Sequence, residues 1–136
     1  VVTHRDFHGR NILTPKEDSV LIIDFQDARM GLPEYDLVSF LYDPYTDYSR
    51  TEREALLQEY ESISGRKIDV ARLQTQAAQR LLKALGSYYF LSNEKGMDSY
   101  ALFIPKTIDM LLDSLIEKDT AISKFLENLQ LLNQAD

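Results

Sequence analysis

The sequence predicts an α+β fold that is mainly helical and carries one small β-hairpin near its start. Two observations predict this fold. Short runs rich in β-branched residues stand at the beginning of the chain and are separated by polar residues. After Phe25 the apolar residues recur at helical spacing, in segments joined by short polar breaks. With 136 residues, the chain is long enough for one domain with its own core.

The β-prone part consists of three short segments, Val1–His4, Asn11–Leu13 and Val20–Ile23. The polar stretch over residues 14–19 separates the last two, as the turn of a hairpin does. A hairpin here brings Asn11 and Asp24, which flank it, to the same end of the sheet.

The remaining chain is predicted to form helices with recognisable ends. The first begins near Pro33 or Glu34 and ends near Pro44. The second opens with a capping box of Thr51 and Glu54 and ends at Gly65. Asp69 is the predicted N-cap of a third helix that runs to about Ser92, and a loop is predicted over Asn93–Asp98. Two further helices are predicted, one over roughly Ser99–Glu117 that is interrupted or restarts at Pro105, and one over Thr120–Asn133.

Composition and charge exclude several classes of function. The net charge of −7 argues against a nucleic-acid partner, which requires a basic surface. Since the chain has no cysteine, disulfides and thiolate metal sites are excluded, and a reducing cytoplasm is the expected compartment. No apolar run approaches the roughly 20 residues that span a bilayer, so no membrane partner is expected.

The segment His4-Arg5-Asp6-Phe7-His8-Gly9-Arg10-Asn11 fits the pattern H-R-D-x-x-x-x-N of phosphoryl-transfer enzymes. Four specified residues coincide by chance on the order of once in 10⁵–10⁶ starting positions. A second segment, Ile22-Ile23-Asp24-Phe25, places a carboxylate directly after an apolar strand. The two segments together predict a phosphoryl-transfer site.

The residue types in this pattern suit phosphoryl transfer, which requires an aligned nucleophile and neutralised phosphate oxygens. Asp6 is predicted to be the catalytic residue, accepting a hydrogen bond and then a proton from the attacking hydroxyl. Asn11 and Asp24 are predicted to hold Mg²⁺ against the phosphates of ATP, because carboxylate and carboxamide oxygens suit this hard cation.

These motifs resemble the aminoglycoside phosphotransferase and choline kinase-like superfamily. The combination of residues 4–11 with Asp24-Phe25-Gln26-Asp27-Ala28 is similar to bacterial sugar kinases of cell-wall recycling. Those enzymes phosphorylate N-acetylmuramate and N-acetylglucosamine at the anomeric hydroxyl. The likeness runs from Val2 to about Leu115 and includes the stretches Tyr35–Ser39, Gln79–Gly86 and Tyr100–Pro105.

The resemblance implies a protein-kinase-like C-terminal lobe, with the hairpin carrying the catalytic and metal-binding loops. It implies an ATP- and magnesium-dependent kinase for a small molecule, with an amino sugar as the leading acceptor. An aminoglycoside, choline or a non-catalytic kinase-like binding module remain alternatives. No glycine-rich loop or Val-Ala-Ile-Lys lysine is present, so an N-terminal nucleotide-binding lobe is expected outside this chain. We expect the isolated chain to be inactive and to self-associate.

Further residues are predicted to support the site. His4 and Arg5 are expected to brace the catalytic loop. Asp36 either favours the start of a helix through its charge or, as the resemblance implies, accepts backbone N–H groups from that loop. The residues with a predicted substrate contact, or else a solvated or capping role, are His8, Arg10, Asp27 and Arg80.

Overall fold

The computed structural model describes residues 1–115 together with residues 124, 127 and 128. This part is mainly helical and contains two small two-stranded sheets, as an α+β chain should. The chain divides into two compact units, Val1–Gln76 and Ala77–Asp136. None of the described helices is long and apolar enough to cross a membrane.

The strands of the described residues belong to the first unit, and each has two residues. They are β1 (Val2–Thr3), β2 (Ile12–Leu13), β3 (Leu21–Ile22) and β4 (Arg29–Met30). Strands β2 and β3 form the predicted antiparallel hairpin, in which Ile12 pairs with Ile22. Strand β1 pairs antiparallel with β4, which the sequence did not predict because Arg29-Met30 lacks the β-branched residues that mark a strand.

Close packing at the β1–β4 pair explains one glycine. Thr3 is buried, and its hydroxyl donates to the carbonyl of Arg29 at 2.9 Å. A Cβ atom at Gly31 would stand 2.8 Å from the Thr3 hydroxyl oxygen, which is closer than real Cβ atoms come. The chain therefore needs glycine where it leaves β4.

Two helices follow in the first unit, α1 (Glu34–Leu41) and α2 (Arg50–Ser64). Helix α1 lies where it was predicted. The predicted capping box of Thr51 and Glu54 is wrong, because Ser49 and Glu52 form the box two residues earlier. The predicted end of α2 is confirmed, since Gly65 follows the helix with a φ of 66°.

Helix α3 (Val70–Tyr89) begins at the predicted N-cap, where Asp69 Oδ1 accepts the N–H of Arg72 at 3.1 Å. The helix ends three residues before the predicted Ser92 and passes into a π-helical turn, Phe90–Glu94. A 3₁₀ segment, Asp98–Phe103, then leads into α4 (Ile104–Ser114). Pro105 lies in the first turn of α4, which confirms the predicted restart there.

The predicted helix over Thr120–Asn133 lies outside the described residues apart from 124, 127 and 128. Each unit has its own buried apolar residues. In the first unit these are Val38, Leu41, Tyr42 and Leu73. In the second unit they are Ala77, Leu81, Leu85, Tyr88, Ile104, Ile108, Met110 and Leu111. The apolar spacing of the predicted helices is confirmed as core for Leu41 of α1, for Leu73, Ala77, Leu81, Leu85 and Tyr88 of α3, and for Ile108 and Leu111 of α4. Leu37 and Phe40 on the predicted face of α1 are only partly buried.

Candidate active site

The loop that follows β1 is anchored by a carboxylate from the first turn of α1. Asp36 Oδ2 accepts the N–H of His4 at 2.7 Å, and Asp36 Oδ1 accepts the N–H of Arg5 at 2.9 Å. These are the hydrogen bonds that the resemblance implied for Asp36. Arg5 has a φ of 74°, in the left-handed region that costs a non-glycine residue free energy, so the anchor also holds a strained backbone.

The side chain of His4 ties this loop to the end of the hairpin. Its Nε2 donates to the carbonyl of Ile23 at 2.9 Å, while its Nδ1 accepts the N–H of Asp6 at 3.3 Å. Since Nδ1 accepts a hydrogen bond, the ring proton is on Nε2. The bracing predicted for His4 thus corresponds to two hydrogen bonds that connect the residues around Asp6 with the residue before Asp24.

The Asp6 carboxylate is held on one oxygen by two neighbours. Asn11 Nδ2 donates to Asp6 Oδ2 at 3.1 Å and to the Asp6 carbonyl at 2.9 Å. His8 Nε2 lies 3.2 Å from the same Oδ2. The Asp6 side chain is 48% exposed whereas that of His8 is 14% exposed, so Asp6 is oriented by its neighbours and remains accessible. His8 is therefore mostly shielded from solvent and contacts Asp6, and its predicted substrate contact stays a prediction.

The backbone brings the two predicted metal ligands together. The carbonyl of Asn11 accepts the N–H of Ile23 at 3.0 Å, so Asp24 follows directly on the residue paired with Asn11. Asp24 has a φ of 68°, and its Oδ1 accepts a hydrogen bond from Gln26 Nε2 at 2.8 Å. Asp24 and Arg5 therefore both have a left-handed backbone conformation and both lie in the segments that form the candidate site.

The donor atoms of this pair fit a magnesium ion. Because Nδ2 of Asn11 is committed to Asp6, its Oδ1 is the atom suited to a cation. Asp24 is exposed and supplies a carboxylate. Within the described residues, no group of three or more histidine or acidic side chains could hold a metal ion. Two protein oxygens suit Mg²⁺, which usually keeps waters and phosphate oxygens as its other ligands.

Aromatic side chains connect the loop with the end of α1 and the segment that follows it. The Phe7 ring lies 5.9 Å from His4 and 6.0 Å from Phe40. The guanidinium of Arg10 stacks over the ring of Tyr45, with 3.8 Å between its Cζ and the ring centroid. The segment over residues 40–48 therefore packs against two side chains of the predicted catalytic loop.

Two further residues with a predicted substrate contact are Asp27 and Arg80. Asp27 is exposed, and in the described part of the chain its side chain accepts no hydrogen bond, so the alternative that it caps the following turn is wrong. Arg80 lies on α3 within the second unit. A substrate contact by either residue stays a prediction.

The sequence did not predict the side-chain contacts of two residues near the site, Gln26 and Arg53. Gln26 binds Asp24, and its position two residues after that aspartate is the signal that could have found it. Arg53 of α2 is buried, donates to the Tyr48 carbonyl at 2.9 Å and stacks on Tyr42 at 4.9 Å. No sequence pattern distinguishes Arg53 from the exposed charges of the same helix.

Comparison with known proteins gives a family and two relatives. Residues 1–74 match the model of the phosphotransferase enzyme family. An N-acetylmuramate/N-acetylglucosamine kinase of Caulobacter vibrioides is 31% identical over 113 residues, covering 78% of this chain and 31% of that protein. A protein of the same name from Neisseria meningitidis serogroup B is 31% identical over 121 residues, covering 82% of this chain and 36% of that protein. The chain thus spans about a third of the length of these curated relatives.

Proposed function

Because this chain belongs to the phosphotransferase enzyme family, we propose that it forms the catalytic lobe of an ATP- and magnesium-dependent kinase for small molecules. The observation that carries the proposal is the accessible Asp6 carboxylate, oriented by Asn11 and His8. The leading acceptor is the anomeric hydroxyl of N-acetylmuramate or N-acetylglucosamine. The names of the two relatives support this choice of acceptor.

In this proposal Asp6 acts on the acceptor. Its carboxylate accepts a hydrogen bond from the sugar hydroxyl and takes the proton as the hydroxyl oxygen attacks the γ-phosphorus. The bond from the γ-phosphorus to the bridging oxygen breaks, and ADP leaves. Asn11 and Asp24 would hold the magnesium ion, which when bound supplies charge neutralisation for the phosphate oxygens.

The surrounding residues position Asp6 for this step. Asn11 and His8 both contact Oδ2, which fixes the rotation of the carboxylate. Asp36 and His4 fix the backbone on either side of Arg5. A preset carboxylate matters because a displacement of about 1 Å between reacting groups can cost on the order of 10²-fold in rate.

We expect the nucleotide-binding part of the enzyme to lie elsewhere in the intact protein. Since the chain spans about a third of its relatives, we expect an N-terminal nucleotide-binding lobe to grip ATP. We expect the 136 residues to have no useful kinase activity by themselves. The expected compartment is the cytoplasm, where ATP is available, and neither nucleic acid nor a membrane is an expected partner.

The test is ATP consumption by the intact protein against amino sugars, aminoglycosides and choline. Asp6→Asn should lower kcat on the preferred sugar by about 10²–10⁴-fold, the usual contribution of a general base. Asp18→Asn, the same change in the exposed hairpin turn at a φ of 63° that Asn tolerates, is the matched control. Turnover of another acceptor alone would replace the amino sugar, and no turnover of any would favour a non-catalytic binding module.

A further inference from the structure

Arg10 is exposed to solvent, and its guanidinium stacks on the ring of Tyr45. The Cζ of Arg10 is 3.8 Å from the ring centroid of Tyr45, well inside the roughly 6 Å limit of a cation–π contact. In the described part of the chain, the guanidinium forms no hydrogen bond and no ion pair. The ring therefore holds the cation in place while its N–H donors stay uncommitted.

The direction of Arg10 differs from that of its neighbour Asn11. Asn11 is buried, and its side chain and carbonyl contact Asp6 and Ile23, on the side of the hairpin that leads to Asp24. Arg10 instead contacts Tyr45, in the segment after α1. Arg10 thus stands four residues after the proposed catalytic base in the same loop, and its cation contacts a different element from the one that carries Asp24.

We propose that Arg10, held by Tyr45, binds a carboxylate of the acceptor and so selects acidic amino sugars over neutral ones. This inference rests on the proposed function. N-acetylmuramate carries a lactyl carboxylate that N-acetylglucosamine lacks. A phosphate of ATP has similar oxyanion chemistry, and the KM for ATP of an Arg10 variant distinguishes the two anions.

The chemistry of the pair suits this role. Stacking occupies the face of the guanidinium, and the edge keeps its N–H groups for the two oxygens of a carboxylate. The planar fork is already oriented, so little side-chain entropy is lost when the acceptor binds. The chain as a whole has a net charge of −7, which disfavours binding an anion except where a cation of this kind is presented.

The test compares the two sugars in the intact protein. Arg10→Gln should lower kcat/KM for N-acetylmuramate by about 10–100-fold, as expected for a lost hydrogen bond to a charged group, and for N-acetylglucosamine by less than about threefold. Tyr45→Leu should give a smaller loss with the same selectivity. Arg66→Gln makes the same chemical change on an exposed side chain after α2 and should leave both sugars unaffected.

The outcomes separate this inference from the proposed function. Retained activity on N-acetylglucosamine shows that the Arg10 variant is folded, so a selective loss supports the inference. Equal losses on both sugars, with a raised KM for ATP, would assign Arg10 to phosphate and overturn it. An unchanged preference would also overturn it. If the unmodified protein phosphorylates neither sugar, the proposed function fails, and the inference fails with it.

Discussion

At the residue scale, the loop over residues 4–11 shows which parts of a site a motif can predict. The roles proposed for Asp6, Asn11 and Asp24 were predicted from residue type and spacing, because phosphoryl transfer requires such groups. The neighbours of Asp6 were not, because the contacts of His8 and Arg10 depend on how a tight loop folds. Asp36 reaches the loop from 31 residues away, and only the resemblance indicated that contact.

The anchoring role of Asp36 can be tested by changing one atom. In Asp36→Asn, an amide N–H₂ replaces one of the two oxygens that now accept the N–H groups of His4 and Arg5. One partly buried N–H then loses its acceptor, which should lower the free energy of unfolding by about 1–3 kcal/mol. Urea denaturation of the intact protein measures this, and kcat on the preferred acceptor should fall as well.

The matched control for Asp36 is Asp27→Asn. Asp27 is exposed, and its carboxylate accepts no hydrogen bond from the described residues, so its change should shift the stability by less than about 0.5 kcal/mol. Equal stability of the two variants would mean that the hydrogen bonds to Asp36 contribute nothing to holding the loop.

At the scale of elements, residues that cap helices or form turns predicted the element boundaries better than the helix and strand propensities of the residues did. Gly65, Asp69 and Pro105 marked the ends of helices correctly because each has a local backbone reason to be there. Strand β4 was missed because two residues carry too little pattern, and its pairing with β1 is set by chain closure over 26 residues. The wrong capping box arose because Ser49 and Thr51 both have a glutamate three residues later.

That ambiguity gives a paired test on α2. Ser49→Ala removes the hydroxyl that accepts the Glu52 N–H and should cost about 1 kcal/mol of stability. Thr51→Ala, inside the helix, should cost less than about 0.5 kcal/mol, because it removes no cap. Thermal or urea unfolding distinguishes the two. A larger cost for Thr51 would show that the helix begins two residues later than described.

The same capping box has a pH signature. The hydroxyl and the backbone N–H of Ser49 donate to the Glu52 carboxylate and lower the pKa of Glu52 below its usual value. A lowered pKa in the folded state stabilises the fold above the unfolded pKa, and this contribution is lost as the pH falls through the folded pKa. NMR titration should show the pKa of Glu52 rising toward the usual glutamate value in Ser49→Ala, and an unchanged pKa would contradict the box.

Two glycines offer a second paired test, with opposite signs. Gly65 has a φ of 66°, so Gly65→Ala forces a side chain into the left-handed region and should destabilise by about 1 kcal/mol. Gly86 lies inside α3, and a Cβ there meets no atom within 4 Å. Gly86→Ala should therefore stabilise by about 1 kcal/mol through helix propensity. Shifts of the same sign in the unfolding midpoint would contradict this.

At the scale of the whole molecule, the first unit leaves many large apolar side chains in contact with solvent. Those on or beside its strands that are at least 44% exposed are Val1, Val2, Val20, Leu21, Ile22, Phe25 and Met30. Within the described residues both sheets have two strands, so each of these strands is an edge with unpaired backbone groups. The sequence could predict the hairpin but not this exposure, because burial depends on which neighbours a short strand meets.

This exposure predicts that the isolated 136-residue chain self-associates. In sedimentation velocity its weight-average mass should rise above the 15.7 kDa of a monomer as the concentration increases. The double variant Val20→Lys and Leu21→Lys puts two charges on residues that are 68% and 51% exposed, and it should weaken the association. Ile63→Lys on α2, where the side chain is 80% exposed, makes the same kind of change away from the strands and should leave the association intact. A strictly monomeric parent chain at the highest concentration would contradict this prediction. The net charge of −7 is the force that opposes association between copies.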